Sequence, residues 1–234
     1  MKCVLLAGGK GTRLMEETRE KPKPLVEIGD KPILWHIMKA YSHYGINEFV
    51  ICLGYKGELI QEYFSELNED WNCVFVDTGL ETMTGGRLKK VQKFVDDETF
   101  CFTYGDTVND LNIPKVIEFH KKMGTLATVT ACIPPEKYGI LYLNGEMVEK
   151  FQEKPRNEKN WVNGGYFVLE PGIFDYIKND ETVWEEEPMK NLVAEKKLAA
   201  YRHEGFYQPM DTLRDKVKLN ELWNSGNAKW KVWE

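Results

Sequence analysis

The sequence predicts an α/β fold organised on a largely parallel sheet, and three observations carry that expectation. Short apolar runs at residues 3–7, 49–53, 74–76 and 100–104 alternate with stretches of helical apolar spacing at 33–41, 59–64 and 113–123, the rhythm of strand–helix–strand units. The first run stops abruptly at Gly8-Gly9, as a buried strand does when it empties into a loop. At 234 residues, with 42% hydrophobic and 12% aromatic side chains, the chain is long enough to bury one large core.

Taken in order, Cys3-Val-Leu-Leu-Ala7 is the first strand and residues 27–31 form a turn. Pro32 then opens a helix carrying Ile33, Leu34, Ile37, Met38 and Tyr41 on one face, and Gly45 ends it. The runs at 49–53 and 74–76 are the second and third strands, with a helix at 59–64 between them. Phe100-Cys-Phe-Thr-Tyr104 is a further strand stopped by Gly105-Asp106; a helix at 113–123 and a strand at 126–132 follow. After Pro134-Pro135 the texture shortens to strands at 140–143, 147–151 and 166–169, with Asn144-Gly145 as a hairpin turn. This part reads as a small lobe at the open edge of the sheet. Helices at 189–196 and 213–223 close the chain, and the two tail tryptophans are expected to pack onto the body or onto another subunit.

Charge and cysteine usage narrow the function. A net charge of -6 argues against nucleic acid as a partner, because duplex binding draws on an excess of Lys and Arg. Cys3, Cys52, Cys73, Cys101 and Cys132 show no Cys-x-x-Cys pair and read as buried free thiols of a reducing compartment. No stretch approaches a membrane span and the N-terminal apolar run is too short for a signal peptide, so the expected location is cytoplasmic, away from membranes. His36, His43, His120 and His203 show no paired spacing and read as structural or exposed.

The chemistry begins at the loop. Gly8, Gly9 and Gly11 let the main chain approach a polyphosphate closely and present its amides, while Arg13 and Lys23 bring positive charge. The loop lacks both the Gly-Lys-Ser/Thr ending of a P-loop and the Gly-x-Gly-x-x-Gly spacing of a dinucleotide site. Asp106 follows a strand end, where ligands collect in open α/β sheets. Asp211, just ahead of a helix, would by itself read as an N-cap.

The whole stretch Leu6-Ala-Gly-Gly-Lys-Gly-Thr-Arg-Leu14, followed at short range by Lys21-Pro-Lys-Pro-Leu25, resembles the sugar-phosphate nucleotidylyltransferases, and within them the branch using CTP and glucose 1-phosphate. The likeness covers nearly the whole chain, including Gln208-Pro-Met-Asp-Thr-Leu-Arg-Asp-Lys216, but the connection at residues 65–73 is shorter than that branch leads one to expect. It implies a Rossmann-like, mixed and mostly parallel sheet flanked by helices, of the nucleotide-diphospho-sugar transferase type, with a small β-rich acceptor lobe. One domain is expected: residues 1–132 for the nucleotide, 133–234 for the acceptor and closing helices.

The resemblance further implies Mg²⁺ on Asp106 and Asp211, with Arg13, Lys23 and Lys154 as catalytic cations. Leu6, Ala7, Gly8, Gly9, Gly11, Thr12 and Gly105 would surround the nucleotide, and Thr82, Gly86 and Arg87 would read the base, Arg87 donating to the O2 and N3 acceptors of cytosine. Tyr138, Gly139, Glu153, Asn163 and Gly164 would hold the acceptor. The expected partners are CTP and a phosphorylated sugar or polyol, the expected assembly a homo-oligomer. A silent nucleotide-binding regulatory subunit is the rival, and the joint presence of Arg13, Lys23, Asp106, Lys154 and Asp211 speaks against it.

Overall fold

The computed structural model describes residues 1–95, 98–134, 140–152 and 161–234. Strand β1 (Lys2–Leu6) lies at the centre of the parallel half of the sheet, with its three middle side chains buried. After the short hairpin of β2 (Glu27–Ile28) and β3 (Lys31–Pro32), the chain adds β4 (Glu48–Leu53), β5 (Asn72–Asp77) and β6 (Phe100–Tyr104). β1 pairs in parallel with β4 on one side and β6 on the other, and β5 pairs in parallel with β4. The near-continuous apolar sequences of β1, β4 and β6 follow from burial on both faces, whereas β5 is a half-buried edge strand.

The second half of the chain completes this sheet. β8 (Ala127–Cys132), β11 (Val162–Leu169) and β12 (Leu198–His203) give seven strands in the order β12-β8-β11-β6-β1-β4-β5. β11 is antiparallel to both β6 and β8, whereas β12 is parallel to β8. The stretch 166–169, expected in the acceptor lobe, is therefore a central strand. Tyr166, Phe167, Val168 and Leu169 are all buried, which only a strand covered on both faces achieves. Its pairing shifts register between Asn163 and Phe167, where Gly165 adopts a φ of +75°. The described part of the lobe is the hairpin of β9 (Ile140–Asn144) and β10 (Met147–Gln152), turned at Gly145 with a φ of +58°. The division at 132/133 thus splits the chain but not the sheet.

Helix α2 (Ile33–His43) buries the five apolar side chains expected of it, and Gly45 follows with a φ of +79°. Helix α5 (Ile113–Met123) is capped by the Asn112 side chain, which accepts from Lys115 N at 3.1 Å, and it ends at Gly124 in the left-handed region. Helix α7 (Leu213–Asn224) opens with a reciprocal capping box between Thr212 and Asp215. Among the described residues all five cysteines are free thiols; burial pushes Cys52 up to about 12, so it stays protonated. No described helix is long and apolar enough to cross a membrane.

The C-terminal tail packs onto the body. Trp230 is 1% exposed and stacks with Phe206 and Trp223 at ring distances of 5.5 and 6.3 Å, over His36. His36 Nε2–H donates to Ile28 O at 2.9 Å, and its Nδ1 accepts from Trp230 Nε1 at 3.3 Å. Both ring nitrogens are thus used by the neutral tautomer, and a second proton would set two donors face to face. Burial lowers the His36 pKa to about 4. Since an unfolded histidine titrates near about 6.5, the native state's preference for the neutral ring is fully expressed above that pH and is lost as pH falls toward 4. The linkage amounts to at most about 3 kcal/mol. We expect denaturant-measured stability to fall between pH 6.5 and 4 in the wild type and to fall by less in His36→Gln; equal slopes would refute this role.

Candidate active site

A cleft of about 510 Å³ opens beyond the carboxyl ends of β1 and β6. Its walls are the loop from Leu6 to Arg13, Lys23-Pro24, residues 80–84 with Arg87, residues 104–106, and Glu185. The loop is shaped by close contacts. A Cβ on Gly8 would lie 2.2 Å from Arg87 Nη1, and Gly11 holds a φ of +63° with Thr18 and Lys23 side chains within 3.0 Å of where its Cβ would be. Among the described residues no amide from Gly8 through Thr12 donates to a backbone carbonyl, so the main chain leaves these donors of the cleft-lining loop unclaimed. Gly105 closes the opposite side, its amide donating to Leu6 O at 3.1 Å.

The two expected acidic residues meet. Asp106 follows β6, and β7 (Thr107–Asn109) pairs antiparallel with β13 (Tyr207–Pro209). Met210 N then donates to Asp106 O at 2.9 Å, so this small pairing delivers Asp211 beside Asp106. Lys23 Nζ lies 2.7 Å from Asp106 Oδ2 and 2.9 Å from Asp211 Oδ1, and Arg13 Nη1 lies 2.9 Å from Asp211 Oδ2. Lys23 is 8% exposed; burial lowers its pKa, but the two carboxylates outweigh this and the net shift is upward. The N-cap of α7 is Thr212 rather than Asp211, whose carboxylate meets these two cations. Asp110, the alternative to Asp106, accepts from Phe206 N at 2.7 Å and pairs with His203 at 3.0 Å. Burial acts to raise its pKa, yet these hydrogen bonds hold it below the ordinary carboxylate range.

Arg87, on α4 (Thr84–Lys90), lines the cleft from below and is 5% exposed. Its Nη1 donates to Leu53 O at 2.9 Å and to Thr78 Oγ1 at 2.6 Å, and its Nη2 donates to Leu80 O at 3.2 Å. Both Nη1 hydrogens are spent on the protein, which makes the guanidinium a strut joining β4, the 78–80 turn and the Gly8 backbone. Thr82 lines the same wall and accepts from Lys90 Nζ at 3.2 Å. Gly86, expected to contact the base, does not line the cleft: its Cβ would lie 2.5 Å from Asp180 O, so the missing side chain serves packing of α4 on the 180–182 segment.

On the acceptor side, Asn163 Oδ1 accepts from Gly165 N at 2.8 Å and Nδ2 donates to Tyr104 OH at 3.1 Å. A Cβ on Gly164 would meet Cys132 Sγ at 2.5 Å, so that glycine too is required by packing. Tyr104 OH donates to Glu185 Oε1, and Thr84 Oγ1 donates to Glu185 Oε2 at 2.7 Å. Tyr104, Thr84, Glu185 and Lys10 are cleft residues that the sequence did not single out. Tyr104 was signalled only by preceding Gly105, and Glu185 sits in a Glu-Glu-Glu run that reads as a solvated face. Tyr138, Gly139, Glu153 and Lys154 lie outside the described residues.

An amide-lined glycine loop facing paired carboxylates and cations across a sheet edge suits an enzyme that binds and transfers nucleotides, and this is the class that fold and cleft define. The chain belongs to the nucleotidyl transferase family, whose model matches residues 2–231. It is 53% identical to the glucose-1-phosphate cytidylyltransferase of Salmonella typhimurium and 43% identical to the probable glucose-1-phosphate cytidylyltransferase of Bacillus subtilis, with both chains covered in full in each case. Those alignments run over 257 and 255 residues, so these relatives carry residues that this chain lacks. In fold it is similar to HddC from Yersinia pseudotuberculosis in complex with GMP-PN, with a TM-score of 0.75 at 24% identity, covering 95% of this chain and 99% of that one.

Arg87→Met removes the donors to two buried acceptors and one part-buried one at once and should cost about 3 kcal/mol of folding stability, read by urea denaturation. A loss under about 0.5 kcal/mol would show that the strut is dispensable.

Proposed function

We propose that this enzyme transfers CMP from CTP to α-D-glucose 1-phosphate, releasing pyrophosphate and forming CDP-glucose. The observation that carries this reading is the single Lys23 ammonium shared by Asp106 and Asp211 beside the amide loop, in a chain similar over its full length to glucose-1-phosphate cytidylyltransferases. A phosphate oxygen of the acceptor forms a new bond to the α-phosphorus, and the bond from that phosphorus to the α–β bridging oxygen breaks with its electrons leaving on pyrophosphate. The protein's part is to align these groups and neutralise charge.

The amides from Gly8 to Thr12 donate to the triphosphate, Arg13 offsets its charge, and Lys23 faces the α-phosphate. Leu6, Ala7 and Gly105 border the nucleotide, and Thr82 with Arg87 reads the cytosine edge. Asp106 and Asp211 fit Mg²⁺: they are hard oxygen donors from separate segments, already close enough to share one cation. Phosphate oxygens and water would complete the coordination of an ion held by these two carboxylates. When bound, that ion supplies charge neutralisation at the α-phosphate and fixes the in-line geometry. On the acceptor side, Asn163 and Glu153 hydrogen-bond sugar hydroxyls, Tyr138-Gly139 and Gly164 form the floor, and Lys154 neutralises the attacking phosphate. The setting is cytoplasmic synthesis of a glycan precursor by a homo-oligomer.

Pyrophosphate release in the presence of CTP, Mg²⁺ and glucose 1-phosphate tests the reading, with chelation of the metal expected to abolish it. Asp106→Asn and Asp211→Asn should each lower kcat by about 10²–10³-fold while leaving the thermal transition in place. Efficient turnover of another sugar or polyol phosphate with none of glucose 1-phosphate would reassign the acceptor. No release with any acceptor would overturn the enzyme.

A further inference from the structure

Lys10 stands between Gly9 and Gly11 at the tip of the amide loop and lines the cleft. Its Nζ lies 2.6 Å from Oε1 of Glu81, which belongs to the turn at residues 80–84 on the other wall. The pair therefore bridges two walls of the cleft, with the two side chains 47% and 77% exposed. Arg13 and Lys23 already face the carboxylates of Asp211 and Asp106. The Lys10 charge is instead held by a residue outside that carboxylate pair. An ion pair this exposed is weak, and a triphosphate tail offers more negative charge and more acceptor oxygens than one carboxylate does. The loop tip can also re-aim: nothing lies within 4 Å of where a Gly9 Cβ would be.

Building on the reading of this cleft as a nucleoside triphosphate site, we propose that Lys10 exchanges Glu81 for the β- and γ-phosphates of the bound nucleotide. The Lys10–Glu81 pair is then a charge latch. Glu81 competes with the tail for one ammonium, so a nucleotide that lacks the tail gains nothing when the pair opens. Tail recognition thereby gains a discriminator between the triphosphate substrate and a nucleoside monophosphate, separate from the carboxylate pair that grips the metal.

The test is equilibrium binding of CTP and of CMP to the full chain by calorimetry with Mg²⁺ and no acceptor, comparing wild type, Lys10→Met, Glu81→Gln and the double variant. Lys10→Met should weaken CTP about tenfold and leave CMP unchanged, with Lys10→Arg retaining most of the affinity. Glu81→Gln should tighten CTP about threefold in the wild-type background and have no effect when Lys10 is already Met. Equal tightening in both backgrounds would mean that Glu81 acts only through bulk repulsion, and it would overturn the latch. So would a Lys10→Met variant that binds CTP normally or loses CTP and CMP alike. In those cases CTP binding by the wild type leaves the enzyme reading standing, whereas wild-type protein that binds no CTP removes that reading and the latch with it.

Discussion

The ammonium of Lys23 is the constraint on which this site depends. Two carboxylates brought to adjoining positions at a sheet edge repel each other, and the cost falls only when a cation lies between them. Lys23 supplies it from a short helical turn, residues 23–25, that starts after Pro22 and is closed by Leu25 N donating to Pro22 O at 2.8 Å. The prolines on either side restrict the backbone that carries it. The same two carboxylates come from opposite halves of the chain, so the small β7–β13 pairing that joins them also ties the last third of the protein to the glycine-rich loop. Fold and site are in this sense one construction.

A second layer of support lies underneath. Arg87 is a buried cation whose hydrogen bonds run to two carbonyls and a hydroxyl, and it packs against the Gly8 backbone. A loop that must keep its amides exposed cannot stabilise itself through backbone hydrogen bonds, so its position has to be set from beneath. The aromatic network of Tyr104, Phe102, Phe167 and Trp184 does the same for the other wall, where the Tyr104 hydroxyl and Thr84 fix Glu185.

What the sequence disclosed was local or carried by resemblance. The apolar run at β1 and its glycine stop, the helix from Ile33 and the Asn144-Gly145 turn are written in neighbouring residues, and nearest-neighbour chemistry fixed them. Asp211 was ambiguous locally because an aspartate before a helix is usually a cap; the structure gives that task to Thr212. Long-range pairing was not legible. β11 reads as one more short strand after a break, and nothing within it says that it inserts between β6 and β8. Gly86 looked like a ligand glycine but is demanded by a neighbour remote in sequence, Asp180, and Cys132 likewise leaves no room for a side chain at Gly164. Edge strand β12 escaped notice because Leu198-Ala-Ala-Tyr-Arg-His203 has little β-branched character.

Manganese, a paramagnetic substitute for magnesium, gives the most direct measurement of whether Asp106 and Asp211 form one cation site. Titrated in the presence of CTP and followed by electron paramagnetic resonance, it should occupy a single tight site per wild-type chain. Replacing either aspartate with asparagine should lose as much affinity as replacing both, because the two act as one unit. Additive losses, or a single variant that keeps the wild-type affinity, would contradict the shared site.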